Sequence, residues 1–170
     1  TTEIYTLSLH DALPIWSCDQ STGELIKNTS SYVEIICDEL IKEGKFSDIL
    51  DEEFKNNIVS SAPMHDIGKI KVSDTILNKP GKFEDWEYEI MKTHAAEGAK
   101  IIRTVKKTVD NEQLKENYLG EAENMAHYHH EKWNGKGYPD GLKGEEIPLS
   151  ARIMAVADVF DALVAVRVYK

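Results

Sequence analysis

The sequence contains few cysteines, a minority of basic residues and no long apolar segment. Its two cysteines, Cys18 and Cys37, are too few for a disulfide scaffold or a zinc cluster, and they fit free thiols in a reducing cytoplasm. No apolar run reaches the roughly 18 residues that a membrane-spanning helix needs. The 20 basic residues face 30 acidic ones, for a net charge of -10, and no basic cluster is longer than Lys106-Lys107. Binding to a nucleic-acid polymer is therefore not expected.

The first fifteen residues are not expected to belong to the fold. Residues 1–15 read TTEIYTLSLHDALPI, which resembles an in-frame translation of a widely used sequencing adaptor. We interpret this segment as a cloning or assembly scar, and we expect the domain to occupy residues 16–170. The pair His10-Asp11 is excluded as a functional motif for the same reason. A native N-terminal extension is the alternative interpretation.

Apolar residues recur at helical spacing through most of the remaining chain, and no alternation of period two persists. The pattern predicts five helices, at residues 23–42, from 51 to about 65, 84–103, 118–131 and 151–166. Asp51 and Ser150 are predicted to cap the second and the last helix, and Gly44 to end the first. Residues 132–149 hold too many glycines and prolines for a regular element. The predicted fold class is all-α, a single helical bundle with one Gly/Pro-rich loop.

Side chains that can bind metal interrupt the apolar faces of these helices. His129 and His130 continue the apolar stripe of the fourth helix, so both imidazoles are predicted to point into the core. Further candidates lie on other elements: His94 on the inward face of the third helix, the pair His65-Asp66, and Asp158 on the nearly apolar last helix. Imidazole and carboxylate without thiolate favour Fe, Mn or Zn, and Asp66 could bridge two such ions.

Simpler interpretations stand beside this one. A single inward histidine is more often a hydrogen-bonded core residue than a metal ligand. Asp161 could cap a helix or pair with Arg152 or Arg167, and His127, which lies well away from the inward stripe, is predicted to be a solvated surface residue.

The order of several motifs resembles a known family. His65-Asp66-Ile67-Gly68-Lys69, followed by Thr93-His94-Ala95, resembles the HD superfamily of metal-dependent phosphohydrolases. The stretch from His129 to Leu142, HHEKWNGKGYPDGL, resembles the signature of its HD-GYP branch, and the segments 147–153 and 157–163 continue it. The resemblance covers about residues 20 to 170 and implies the helical fold of HD phosphohydrolases, with a Gly-Tyr-Pro loop.

This resemblance implies a cytoplasmic phosphodiesterase that hydrolyses cyclic di-GMP to pGpG, or onward to GMP, in bacterial signalling. The implied metal ligands are His65, Asp66, His94, His129, His130 and Asp158, holding two divalent ions, with Fe or Mn expected. Lys69 matches the family lysine near the scissile phosphate and is, with Asp66, the implied catalytic group. The implied substrate-binding residues are Arg167, Lys170, Gly137, Tyr138 and Pro139.

Two positions depart from the family pattern. Ser21 and Leu25 occupy the places where the family commonly has a glutamate and a histidine that add to the metal cluster, so a third metal is not expected. Val168 stands where a proline is usual. By the same resemblance the domain is expected to be truncated at both ends, with an upstream sensory or receiver domain and a homodimer in the intact protein.

Three functions remain open on the sequence alone. The first is hydrolysis of a cyclic dinucleotide. The second is a partly degenerate module that binds the dinucleotide or a partner protein without turnover, which Leu25 favours. The third is an HD phosphohydrolase for another nucleotide, against which the Gly-Tyr-Pro motif argues.

Overall fold

The computed structural model describes the backbone of residues 22–164 and the side chains of residues 28–164. It contains six α-helices and, within this range, no strand. They are α1 (Thr22–Lys42), α2 (Glu52–Ser61), α3 (Asp74–Leu77), α4 (Asp85–Lys106), α5 (Leu119–Tyr128) and α6 (Leu149–Val164). The predicted all-α fold is confirmed. The predictions for residues 1–15 and for Ser21, Arg167, Val168 and Lys170, and for the side chain of Leu25, lie outside the described residues.

The helix ends follow local capping chemistry. Gly44 has a φ of +65°, a left-handed conformation that suits glycine, and ends the segment after α1 as predicted. Asp51 caps α2, since its Oδ1 accepts the Phe54 N–H at 2.8 Å. Ser150 was expected to cap the last helix, but it is buried within α6. Because the Pro148 carbonyl already accepts the Arg152 N–H at 3.0 Å, the helix begins earlier than the serine predicts.

Two other helix predictions differ from the structure. The second helix does not run to residue 65 but ends at Ser61, where a 3₁₀ turn, Ala62–Met64, takes over. Its Pro63 lacks an N–H and cannot extend the α-helical ladder. On α4, the apolar spacing predicts that Ile90 faces inward with Met91. In the structure 38% of Ile90 is exposed, whereas Met91 is buried.

The main core lies where α1, α2, α5 and α6 meet. Its fully buried side chains include Val33 and Cys37 from α1, Ile58 from α2, Met125 from α5 and Met154 from α6. A second cluster, around Ile102 and Ala126, holds α4 against α5. Burying each large aliphatic side chain stabilises the fold by roughly 1.5–3 kcal/mol. These contacts fix the relative positions of the helices that carry the candidate ligands.

A close backbone approach joins the His65-Asp66 segment to α4. The short helix Ile67–Lys71 crosses α4 at Gly68 and Gly98, where a Cβ added to Gly68 would lie 1.9 Å from the His94 carbonyl oxygen. Only glycine fits this crossing without displacing backbone. The crossing brings residues 65 and 66 alongside His94.

The segment between α5 and α6 folds back over the end of α5. Asn134 and Lys143 form an isolated antiparallel bridge, and the Gly144 N–H donates to the Trp133 carbonyl at 3.1 Å. Apart from the 3₁₀ turn Gly144–Glu146, the segment between α5 and α6 contains no regular helix, as its Gly/Pro content predicts. Within residues 22–164, every helix falls short of the length or hydrophobicity that crossing a bilayer requires.

Candidate metal centre

Four elements deliver the six predicted ligands to one place. His65 and Asp66 lie between two short 3₁₀ helices, His94 lies on α4, His129 and His130 follow the last turn of α5, and Asp158 lies on α6. One ligand atom from each of Asp66, His94, His129 and His130 lies within 4.8 Å of the other three. Residues 66 to 130 of the chain therefore supply four ligand atoms to one small region.

Asp66 is the centre of this cluster. Its Oδ1 lies 3.4 Å from His94 Nε2 and 3.9 Å from His129 Nε2. Its Oδ2 lies 3.2 Å from His65 Nε2, and His65 Nε2 is in turn 4.0 Å from Asp158 Oδ1. His130 joins through His94, with the two Nε2 atoms 3.1 Å apart. The two oxygens of Asp66 thus face different imidazoles, as a bridging carboxylate would.

Backbone carbonyls orient three of the imidazoles. The Nδ1 atoms of His65, His94 and His129 lie 2.8, 2.6 and 2.8 Å from carbonyl oxygens of Ala62, Met91 and Met125 respectively. Since a carbonyl can only accept, each Nδ1 carries a proton, and each Nε2 faces the cluster. Metal-binding histidines are typically held in this way.

Several polar atoms at the centre have no hydrogen-bond partner in the described part of the chain. They are His65 Nε2, Asp66 Oδ1 and His129 Nε2, all of them buried. Leaving such an atom unsatisfied costs about 1–3 kcal/mol, so three together need an explanation. A cation can bind Asp66 Oδ1 and His129 Nε2 at once, and His65 Nε2 after its proton has left, whereas simple core packing leaves all three unpaired. The residues present therefore fit a bound divalent metal ion.

The protonation states of three of the four imidazoles suit metal binding. Burial lowers the pKa of His94, and burial together with the neighbouring histidines holds the pKa values of His129 and His130 well below the ordinary range. Neutral imidazole is the form that binds metal. Burial lowers the pKa of His65 too, but the charges of Asp66 and Asp158 outweigh it and raise the pKa to about 9.

The two carboxylates differ in their surroundings. Burial alone would raise the pKa of Asp66, but the ammonium of Lys69 and the neighbouring imidazoles hold that pKa well below its usual value. Lys69 Nζ donates to Asp66 Oδ2, which keeps a cation at the edge of the cluster. Burial raises the pKa of Asp158, and the opposing charge of His65, whose Nε2 lies 4.0 Å from Asp158 Oδ1, does not cancel this effect.

The loop tyrosine lies against the cluster. The ring of Tyr138 packs on His130, with centroids 4.7 Å apart and an angle of 31° between the planes. Burial raises the pKa of the Tyr138 hydroxyl. The Tyr88 ring lies 6.5 Å from the Tyr138 ring, and Lys92 Nζ lies 5.8 Å from the centre of the Tyr138 ring. Gly137 and Pro139 flank this tyrosine in the chain.

Asp161 lies outside the cluster, one turn after Asp158. It is buried, and burial raises the pKa of its carboxyl group. Arg152, one of its expected partners, lies over the rings of Phe46 and Trp133, at 5.3 and 5.9 Å. The other, Arg167, is outside the described residues.

The prediction for His127 is wrong. Its side chain is buried, and its Nε2 lies 3.2 Å from Asp140 Oδ2. Helical periodicity correctly places it off the inward stripe, but the loop after residue 131 covers that face. Glu131 was missed for the same reason: only 5% of its surface is exposed, because the same loop covers it. Only the glutamate's position inside the motif could have indicated it.

Comparison with known proteins places this arrangement in a family. The family model described as HD domain matches residues 22–170. Among curated proteins, the chain is 41% identical over 154 residues to a cyclic di-GMP phosphodiesterase of Vibrio cholerae, covering 91% of this chain and 30% of that protein. It is 45% identical over 121 residues to a cyclic di-GMP phosphodiesterase of Thermotoga maritima, covering 71% of this chain and 30% of that protein.

A third relative has a different printed substrate. The chain is 43% identical over 121 residues to the 3'3'-cGAMP-specific phosphodiesterase 2 of Vibrio cholerae, covering 71% of this chain and 22% of that protein. The chain thus spans less than a third of the length of these three relatives.

Proposed function

This chain belongs to the HD domain family, and from that premise we propose that it is a metal-dependent phosphodiesterase that opens cyclic di-GMP to pGpG or GMP. The observation that carries the proposal is the convergence of Asp66 with His94, His129 and His130, whose ligand atoms lie within 4.8 Å of one another. The names of two relatives that match most of the chain supply the substrate.

We assign the metal site to the six residues that the sequence motifs single out. They are His65, Asp66, His94, His129, His130 and Asp158. Two divalent ions, Fe or Mn, suit a set of imidazoles and carboxylates without thiolate. Bound there, such ions lower the pKa of water toward about 7 and neutralise charge that develops on the phosphate. Asp66, which faces imidazoles with both oxygens, is the bridging ligand in this proposal.

The remaining site residues act on the substrate. Lys69, held beside Asp66, places a positive charge where the scissile phosphate would lie and stabilises the negative charge that builds up during hydrolysis. Tyr138 offers a ring for stacking on guanine next to His130. Arg167 and Lys170, by their match to the family, would bind phosphate oxygens. A net charge of -10 does not oppose an anionic substrate if the local field of the metals prevails.

Leu25 and Ser21 limit the number of metals in this proposal. A leucine cannot ligate, so we propose two ions and not three. The same departure gives the alternative function some support: a module that binds the dinucleotide and signals without hydrolysing it.

Anaerobic purification followed by metal counting and turnover assays tests the proposal. We expect about two Fe or Mn ions per chain and metal-dependent conversion of cyclic di-GMP to linear products. Assays with cyclic GMP-AMP in parallel show whether the substrate of the third relative is also used. Asp66→Ala and Lys69→Ala are expected to lower kcat by about 10²-fold or more, as loss of a charge-stabilising group does.

The outcomes separate the two functions. Turnover that requires metal and disappears in Asp66→Ala supports the phosphodiesterase. Tight binding of cyclic di-GMP without turnover in either metal favours the binding module. If the chain binds neither metal nor cyclic di-GMP, the phosphodiesterase and the binding module are both contradicted.

In the intact protein we propose a cytoplasmic location, a sensory or receiver domain upstream of this one, and a homodimer. The chain spans less than a third of its relatives' length, which leaves room for such a domain. We propose that residues 1–15 are an adaptor-derived scar.

A further inference from the structure

We infer that Glu131 is a positioning residue that clamps the Gly-Tyr-Pro loop, so that Tyr138 packs on His130 and holds this imidazole toward the metal site. The inference rests on the proposed metal centre and adds to it a residue that binds neither metal nor substrate.

The contacts of Glu131 reach the far end of the loop. Its Oε1 accepts the Asp140 N–H at 2.7 Å and the Gly141 N–H at 2.9 Å. With only 5% of its surface exposed, the carboxylate is shielded from water. Hydrogen bonds to a charged acceptor are roughly twice as strong as neutral ones. Two of them on consecutive amides fix the backbone of the loop.

Two further contacts hold the same part of the loop. His127, on the last turn of α5, pairs with the Asp140 carboxylate at 3.2 Å. Gly137 lies so close to the chain that an added Cβ would be 2.3 Å from the Lys132 nitrogen and 2.4 Å from the Glu131 Cα. The loop therefore rests directly on the backbone of Glu131, with residues on both sides of Tyr138 fixed.

His130 is the imidazole that depends on this loop. The other three candidate histidines are oriented by Nδ1 contacts to backbone carbonyls at 2.6–2.8 Å. His130 instead has its hydrogen bond through Nε2 to His94, and its ring packs against Tyr138, with centroids 4.7 Å apart. The Tyr138 N–H also donates to the His130 carbonyl at 3.3 Å. Tyr138 thus supplies the orientation that a carbonyl supplies elsewhere.

The test compares Glu131→Ala with Glu131→Gln, using Mn²⁺ as the probe. Mn²⁺ affinity is measured by calorimetry, and amide hydrogen exchange of residues 136–142 is measured on the metal-free protein. In Glu131→Ala we expect faster exchange in the loop and Mn²⁺ affinity about 10–100-fold weaker, the usual effect of losing a residue that orients a ligand. Glu131→Gln keeps an acceptor oxygen and is expected to stay within about threefold of the unmodified protein.

Glu87 supplies a matched control. It is also a buried glutamate, with 7% exposed, and it accepts a backbone amide, from Glu84, at 2.7 Å. Glu87→Ala is expected to lower stability without changing Mn²⁺ affinity or loop exchange. A general loss of stability would instead weaken Mn²⁺ binding in Glu87→Ala as much as in Glu131→Ala, which would overturn the inference.

Tyr138 variants test the packing of the Tyr138 ring on His130. Tyr138→Ala is expected to weaken Mn²⁺ binding as Glu131→Ala does, while Tyr138→Phe keeps the ring and the affinity. Equal Mn²⁺ affinity in Glu131→Ala and the unmodified protein overturns the inference and leaves the proposed function intact. Absence of Mn²⁺ binding by the unmodified protein overturns both. Since no arm uses turnover, a chain that binds metal but hydrolyses nothing can still support the inference.

Discussion

His65 differs from the other imidazoles of the metal centre in the charge that it carries. Its pKa is raised to about 9 by the carboxylates of Asp66 and Asp158, against the opposing effect of burial. His94, His129 and His130 have lowered pKa values, because burial disfavours the charged ring. At neutral pH the metal-free centre therefore holds one protonated imidazole among three neutral ones.

This charge predicts how metal binding depends on pH. Because a metal must displace the His65 proton, Mn²⁺ binding at pH 7 should release about one proton from this residue. Raising the pH removes the competing proton, so affinity should increase up to about tenfold per pH unit below a pKa of about 9. Calorimetry in buffers of different ionisation enthalpy measures the number released.

His65→Gln serves as the control, since it removes the titrating group and should remove this release. Release of three or more protons at pH 7 would contradict the assignment, because it would mean that the other imidazoles are charged as well. Release of none would show that His65 is either neutral or not a ligand.

At the scale of elements, the crossing of the short helix Ile67–Lys71 over α4 holds the two halves of the site together. A Cβ at Gly68 would lie 1.9 Å from the His94 oxygen and 2.4 Å from the Gly98 nitrogen. Gly68→Ala must therefore push the helices apart. We expect the free energy of unfolding to fall by about 3 kcal/mol and Mn²⁺ affinity to fall with it, because Asp66 moves away from His94.

Gly120→Ala is the matched control. This glycine lies in α5, where an added Cβ meets nothing nearer than 3.7 Å, at the Lys115 oxygen. The substitution should raise the free energy of unfolding by up to about 1 kcal/mol, since alanine favours helix. Urea unfolding of both variants gives the comparison. Equal stability of the two variants would contradict the tight crossing.

The sequence could predict the inward histidines, because their spacing along the helices sets their direction. His129 and His94 follow apolar stripes and are both buried. The sequence could not predict the surroundings of His127 and Glu131, since those surroundings depend on a loop that folds over the end of α5. Helix ends such as that at Ser61 were missed for a related reason: a 3₁₀ turn and an α-helix share nearly the same apolar spacing.

At the scale of the whole molecule, the candidate site is a product of tertiary packing and not of any one segment. The cores around Met125 and Ala126 fix α5 against its neighbours. Of these neighbours, α4 contributes His94 and α6 contributes Asp158. The resemblance to the HD superfamily indicated which residues should meet. The packing explains why they do, since the crossing at Gly68 and the last turn of α5 leave the Nε2 atoms facing one another.

The most direct test of this convergence is an anomalous-difference map from crystals of the chain grown with Mn²⁺. We expect two neighbouring peaks, with Asp66 in contact with both and with His94 and His130 among the ligands. Peaks confined to the protein surface, or no peak beside Asp66 in crystals that hold Mn²⁺ elsewhere, would contradict the metal centre.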